Sequence, residues 1–123
     1  MTPQLYVASK TTYGNEWRKL RASGVPIIST WIDVSGVGET VDFDMLWIRC
    51  LDEASTCTAL VAFRGQGESL ADIADEIAAA LSHGKHVFGV GFEDMSIAKH
   101  HMFHSCPNMT QAFQQAINWS KQL

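Results

Sequence analysis

The stretch Thr58-Ala59-Leu60-Val61-Ala62-Phe63 constrains this chain more than any other. After the threonine the run is continuously apolar, with no polar alternation. A strand wet on one face alternates polar and apolar side chains, so a run of this kind belongs to a strand covered on both faces. Such strands sit in parallel sheets between layers of helix, and parallel neighbours need long crossover connections. The rest of the sequence has the material for both. Residues 5–8, 25–31 and 86–91 read as further strands, and residues 102–105 as a short fifth. Pro26 is tolerable only near the start of its strand.

Helical patterns fill the intervals. Asn15 is placed to cap a helix ending near Ala22, with Gly24 where a left-handed C-terminal residue is wanted. Phe43, Leu46, Trp47, Cys50, Leu51 and Ala54 recur at helical spacing and form one apolar stripe. Asp42 and Asp44 fall in its first turn, where the helix dipole favours negative charge. Ser69, with Asp72 three residues later, predicts a helix over 69–82 with Leu70, Ile73, Ile77 and Leu81 inward. A last helix covers 110–119, with Phe113, Ala116 and Ile117 inward. Strand and helix alternate throughout, which predicts an α/β fold. The expected architecture is a three-layer flavodoxin- or Rossmann-like sandwich, one domain over 1–123, with a five-stranded parallel sheet ordered 2-1-3-4-5. In such sheets ligands bind beyond the carboxyl ends of the strands, at the switch point between strands 1 and 3. Function is therefore sought in loops 9–14, 31–39 and 64–69.

Composition excludes several classes. Nine Lys+Arg against thirteen Asp+Glu give a net charge of −4, which argues against a nucleic-acid polymer as partner. No run of roughly 18 apolar residues offers a membrane-spanning helix. The N-terminus lacks a basic segment followed by an apolar one, so no secretory signal is expected. Cys50, Cys57 and Cys106, without a C-x-x-C pair, read as free thiols in a reducing cytoplasm. His100, His101 and His104 read as a polar loop rather than metal ligands, and no metal or cofactor is expected.

By spacing alone Glu76 is a solvated helix carboxylate. Its neighbourhood adds something. Glu76 is followed by Ala80 and then by Gly84-Lys85, and Gly67-Glu68-Ser69-Leu70 precedes the helix. This ordered set resembles the nucleoside 2-deoxyribosyltransferase superfamily, a subset of whose bacterial and phage members carries G-E-x-L at that place. Residues 5–9 and 106–119 resemble the superfamily's first strand and its terminal strand and helix. The likeness departs at Thr58, where relatives often carry Asp, and at Ala78, where they carry Gly. The superfamily's acidic residue in the preceding helix has no sure counterpart, Asp52 being nearest in type.

The resemblance implies chemistry at an anomeric carbon. Glu76 would be the nucleophile on a nucleoside or nucleotide, suited to an oxocarbenium-like transition state. Asp72 or Asp33 would donate a proton to the leaving base. Ser9, Lys10 and the backbone of Gly67, Glu68 and Ser69 would hold the sugar's 5′ end, with Trp31 beside the pocket. Lys10 and Arg64 are otherwise ordinary surface charges. Relatives often complete their pockets across subunits, so a homo-oligomer is implied. Two other readings stay open: a nucleotide-binding or sensing domain without turnover, and an interaction protein, of bacterial or phage origin, with exposed tryptophan.

Overall fold

The computed structural model describes residues 1–34, 43–71 and 73–123. Its strands are β1 (Leu5–Ala8), β2 (Ala59–Phe63), β3 (Val87–Val90) and β4 (Phe103–Ser105). Its α-helices are α1 (Gly14–Ala22), α2 (Phe43–Thr56), α3 (Ala74–Ser82) and α4 (Met109–Lys121). The strands lie in the order β1-β2-β3-β4, all parallel, with Val7 opposite Val61, Val61 opposite Phe88, and Phe88 opposite His104. The run that opened the sequence argument is β2, an interior strand, and Ala59 to Ala62 are wholly buried.

Helices cover both faces. Alternation along β1 sends Ser9 towards α1, where its hydroxyl meets the Trp17 indole, and Tyr6 towards α3, where it meets Glu76. Trp17 of α1 also packs edge-on against Phe113 of α4, with ring centroids 6.1 Å apart, so these two helices share a layer. Helices α2 and α3 pack on each other across the opposite face. One continuous apolar cluster runs through all three layers. At the start of α4 Asn108 is the cap, its side chain accepting from the Gln111 amide at 2.9 Å.

Among the described residues the sheet has four strands rather than five. Residues 25–31 make only a single parallel bridge, Ile27 to Leu5, before turning into a 3-10 helix at Thr30–Asp33. The reason lies in side chains. Leu5 donates to Pro26 O and Ile28 donates to Leu5 O, so pairing begins as expected. The Ser29 hydroxyl then accepts from the Val7 amide at 2.6 Å, and the Trp31 indole N–H donates to Val7 O at 2.8 Å. Two side chains thus satisfy the outer edge of β1, leaving no ladder for a strand to complete.

Other boundaries also moved. Helix α1 follows a 3-10 turn, Thr11–Tyr13, with Tyr13 at the N-cap and no side-chain cap, so Asn15 lies inside the helix. Helix α3 starts at Ala74, because the Ser69 hydroxyl accepts from Ala71 N and closes a local turn instead of capping a helix. On α2, Cys50 and Ala54 are buried, but Trp47 keeps 55% of its surface exposed and does not join the core stripe. Glycine is required at Gly91, which ends β3 at φ +93°; a Cβ there would lie 2.0 Å from Arg64 O.

Candidate active site

Beyond the carboxyl end of β1 lies a cleft of about 760 Å³, within the size range of small-molecule sites. Its walls come from four places. The end of β1 and the 3-10 turn after it contribute Ser9, Lys10, Thr11 and Thr12. Helix α2 contributes Asp44, Leu46, Trp47, Cys50 and Leu51. The start of α3 contributes Asp75 and Glu76, with Ala71 just before it, and Trp31 closes the side next to β1.

Glu76 is half-buried in the first turn of α3. The buried Tyr6 hydroxyl donates to its Oε1 at 2.9 Å, across 70 residues of sequence. Burial, and after it the Glu76 charge, push the Tyr6 phenol well above its ordinary range, so it stays protonated and remains a donor. Cys50 sits against the same hydroxyl, and burial raises its thiol too, which keeps it neutral. The carboxylate is thereby anchored at the wall of a cleft.

The other anticipated residues are distributed unevenly. Ser9 and Lys10 line the cleft. The Ser9 hydroxyl is committed, accepting from the Trp17 indole at 2.7 Å and donating to Lys10 O at 3.0 Å. Trp31 lines the cleft with its N–H spent on Val7 O, so the ring is fixed in place. Asp72 lies outside the described residues.

Asp33 is drawn away to Arg21, which donates to both its oxygens at 3.0 and 2.5 Å. Those hydrogen bonds hold its carboxyl below the usual carboxylate range, making it a poor proton donor, and it does not line the cleft. Gly67, Glu68 and Ser69 do not line it either. Gly67 has a positive φ of 78°, but a Cβ there would meet nothing within 4 Å, so it serves a turn and not a close approach. Glu68 is a loop clamp: it accepts from the Tyr13 hydroxyl and from Gly65 N, both at 2.7 Å. Arg64 is equally structural, reaching Glu68 O, Gly91 O and Asp94.

Sequence reasoning did not single out Tyr6, Asp44 and Asp75; Thr11 and Thr12 fall inside the loop 9–14 to which it pointed, without being named. Tyr6 carried a usable signal, since a phenol inside a strand covered on both faces needs a polar partner. The acidic residue that α2 brings to the cleft is Asp44, whereas Asp52 is exposed elsewhere on that helix. Among the described residues, no three His, Cys, Asp or Glu side chains are grouped to hold a metal. No described helix is long and apolar enough to cross a membrane.

Fold and cleft together define a Rossmann-like α/β protein with a cleft beyond the carboxyl end of β1. Among solved structures it is similar to a CMP N-glycosidase of Clostridium botulinum, BcmB. The two agree with a TM-score of 0.55 at 13% identity, over 91% of this chain and 95% of that one. At that identity the structural likeness shows a shared fold and nothing finer. No protein-family model and no curated protein matches the sequence.

Proposed function

We propose that this chain cleaves the N-glycosidic bond of a nucleoside or nucleotide, with Glu76 as nucleophile. The observation that carries the reading is the Glu76 carboxylate, held by Tyr6 at 2.9 Å, on the wall of a cleft large enough for a nucleoside. The fold shared with an enzyme named as a CMP N-glycosidase supports it. In the first step a Glu76 oxygen bonds to C1′ as the C1′–N bond breaks. The electron pair leaves with the base nitrogen, which takes a proton. Asp75 is the described acid beside Glu76 in the cleft, and Asp72, one turn earlier in sequence, is the other candidate. In the second step water, or a second base in deoxyribosyl transfer, attacks C1′ and frees the carboxylate. Lys10, Thr11 and Thr12 face the sugar, and Trp31 and Trp47 offer rings to the base.

The reading includes a homo-oligomer. Met45, Trp47 and Ile48 on α2 are each more than half exposed beside the cleft, and a second copy would cover them.

Glu76→Gln tests the assignment. It keeps the shape and removes the nucleophile, so release of free base from a panel of nucleosides and nucleotides should fall by about a thousandfold or more. The melting temperature should hardly change. Unaltered base release in the variant would reject Glu76. Ligand-induced protection from melting with no base released by the unaltered protein would assign the binding or sensing alternative.

A further inference from the structure

Resting on that reading, we infer that Glu53 is a positioning residue: by clasping Thr30 it fixes the spacing between two walls of the cleft, Trp31 and α2, and so governs how tightly the substrate is gripped. Glu53 itself lies outside the lining. It continues the line of Leu46 and Cys50 along α2 at helical spacing, and so leaves the helix on the face that borders the cleft.

The turn it reaches needs an outside partner. Trp31 sits in the 3-10 turn Thr30–Asp33, whose first N–H groups have no acceptor within the turn. Ser29, at the N-cap, makes no cap bond, because its hydroxyl accepts from the Val7 amide. Glu53 supplies what is missing. One of its carboxylate oxygens accepts from Thr30 N at 3.1 Å and the other from the Thr30 hydroxyl at 2.7 Å. The far end of the same turn is held from the opposite layer, where α1 sends Arg18 to Ile32 O and Arg21 to Asp33. The Trp31 indole adds its bond to Val7 O at 2.8 Å. Among these holds, the Glu53 clasp is the one that comes from α2, the helix that brings Leu46, Trp47 and Cys50 to the cleft. A carboxylate that accepts through both oxygens constrains direction as well as distance. Glu76 and its partner Tyr6 lie on α3 and β1. Loosening the clasp therefore changes how a nucleoside is gripped and not how the nucleophile is aimed.

The experiment follows base release from a panel of ribo- and deoxyribonucleosides and their 5′-monophosphates, with each variant checked for an unchanged circular dichroism spectrum. For the best substrate Glu53→Ala should raise KM by about tenfold and leave kcat within about twofold. Glu53→Gln should keep KM within about threefold, because its amide accepts from Thr30 N and donates to the Thr30 hydroxyl. Thr30→Val should raise KM by less than Glu53→Ala does, and should add nothing in the Glu53→Ala background, since a shared contact is lost only once. A folded Glu53→Ala with unchanged KM, whether or not kcat falls, overturns the inference and leaves the glycosidase reading standing. A Glu53→Gln as impaired as Glu53→Ala overturns it too, as does a Thr30→Val effect that adds in full. If Glu53→Ala fails to fold, Thr30→Val decides by the same measure: an unchanged KM overturns the inference. No base from any compound rejects the glycosidase reading, and this inference with it.

Discussion

Tyr6 is the residue on which the site turns. It belongs to a strand that sequence patterning reads as plain core, and its ring is indeed buried. Only its hydroxyl reaches the proposed nucleophile, Glu76, which lies on another element 70 residues away. Periodicity reports which face a side chain takes; it does not report which distant atom waits there, so this pairing was not legible. Glu76 was singled out only through the residues around it, since spacing alone gives a solvated helix position. Tyr6→Phe keeps the ring and removes the charge-assisted hydrogen bond. Such bonds contribute about 1.5–3 kcal/mol, so kcat should fall roughly 10- to 100-fold with KM little changed. Steady-state kinetics of the variant would show it, and an unchanged kcat would mean Tyr6 does not position the nucleophile.

Among elements, the helices and the interior strands were readable because their apolar spacing is dictated by burial on known faces. Residues 25–31 were not, because Ser29 and Trp31 place side chains where a strand would place backbone. The start of α3 misled for a similar local reason, a serine hydroxyl closing a turn. Two element junctions make testable claims. Gly91→Ala would force a Cβ against Arg64 O in a left-handed conformation. It should cost about 2–3 kcal/mol, measured by urea unfolding.

Where β3 meets β4, His86 Nδ1 and His104 Nε2 lie 2.8 Å apart, with His86 stacked on Trp119 and His104 on Phe88. Burial lowers both imidazoles, and for His86 the neighbouring His104 and His101 lower it further. The folded chain therefore takes up protons at lower pH than the unfolded chain, whose imidazoles titrate near 6.5. The full stability is present above that pH and declines as pH falls through it towards the lowered folded values. The melting temperature should drop between pH 7 and 5, and His104→Phe should make that decline shallower. A slope identical in the variant would show that the pair does not couple to folding.

At the scale of the whole molecule, net charge of −4 hides an uneven distribution: Arg18, Arg21 and Arg64 secure loops while carboxylates gather at the cleft. A total charge says nothing of that sorting, which is why composition could argue about a polymer partner but not about the lining of the cleft. The exposed Met45, Trp47 and Ile48 face points to self-association. Light scattering should give twice the 13.6 kDa of one chain, or a higher multiple, and Trp47→Glu should reduce it. A monomer at tens of micromolar would refute the oligomer. The account as a whole stands on a sugar bonded to one carboxylate, and the mass of the intact protein reads that directly. A 2′-fluoro nucleoside destabilises the oxocarbenium-like state and slows the second step, so the sugar should accumulate on the enzyme. The protein should gain the mass of the fluorosugar on the peptide containing Glu76, and Glu76→Gln should gain none. Base release with no adduct at Glu76, or an adduct on another residue, would contradict it.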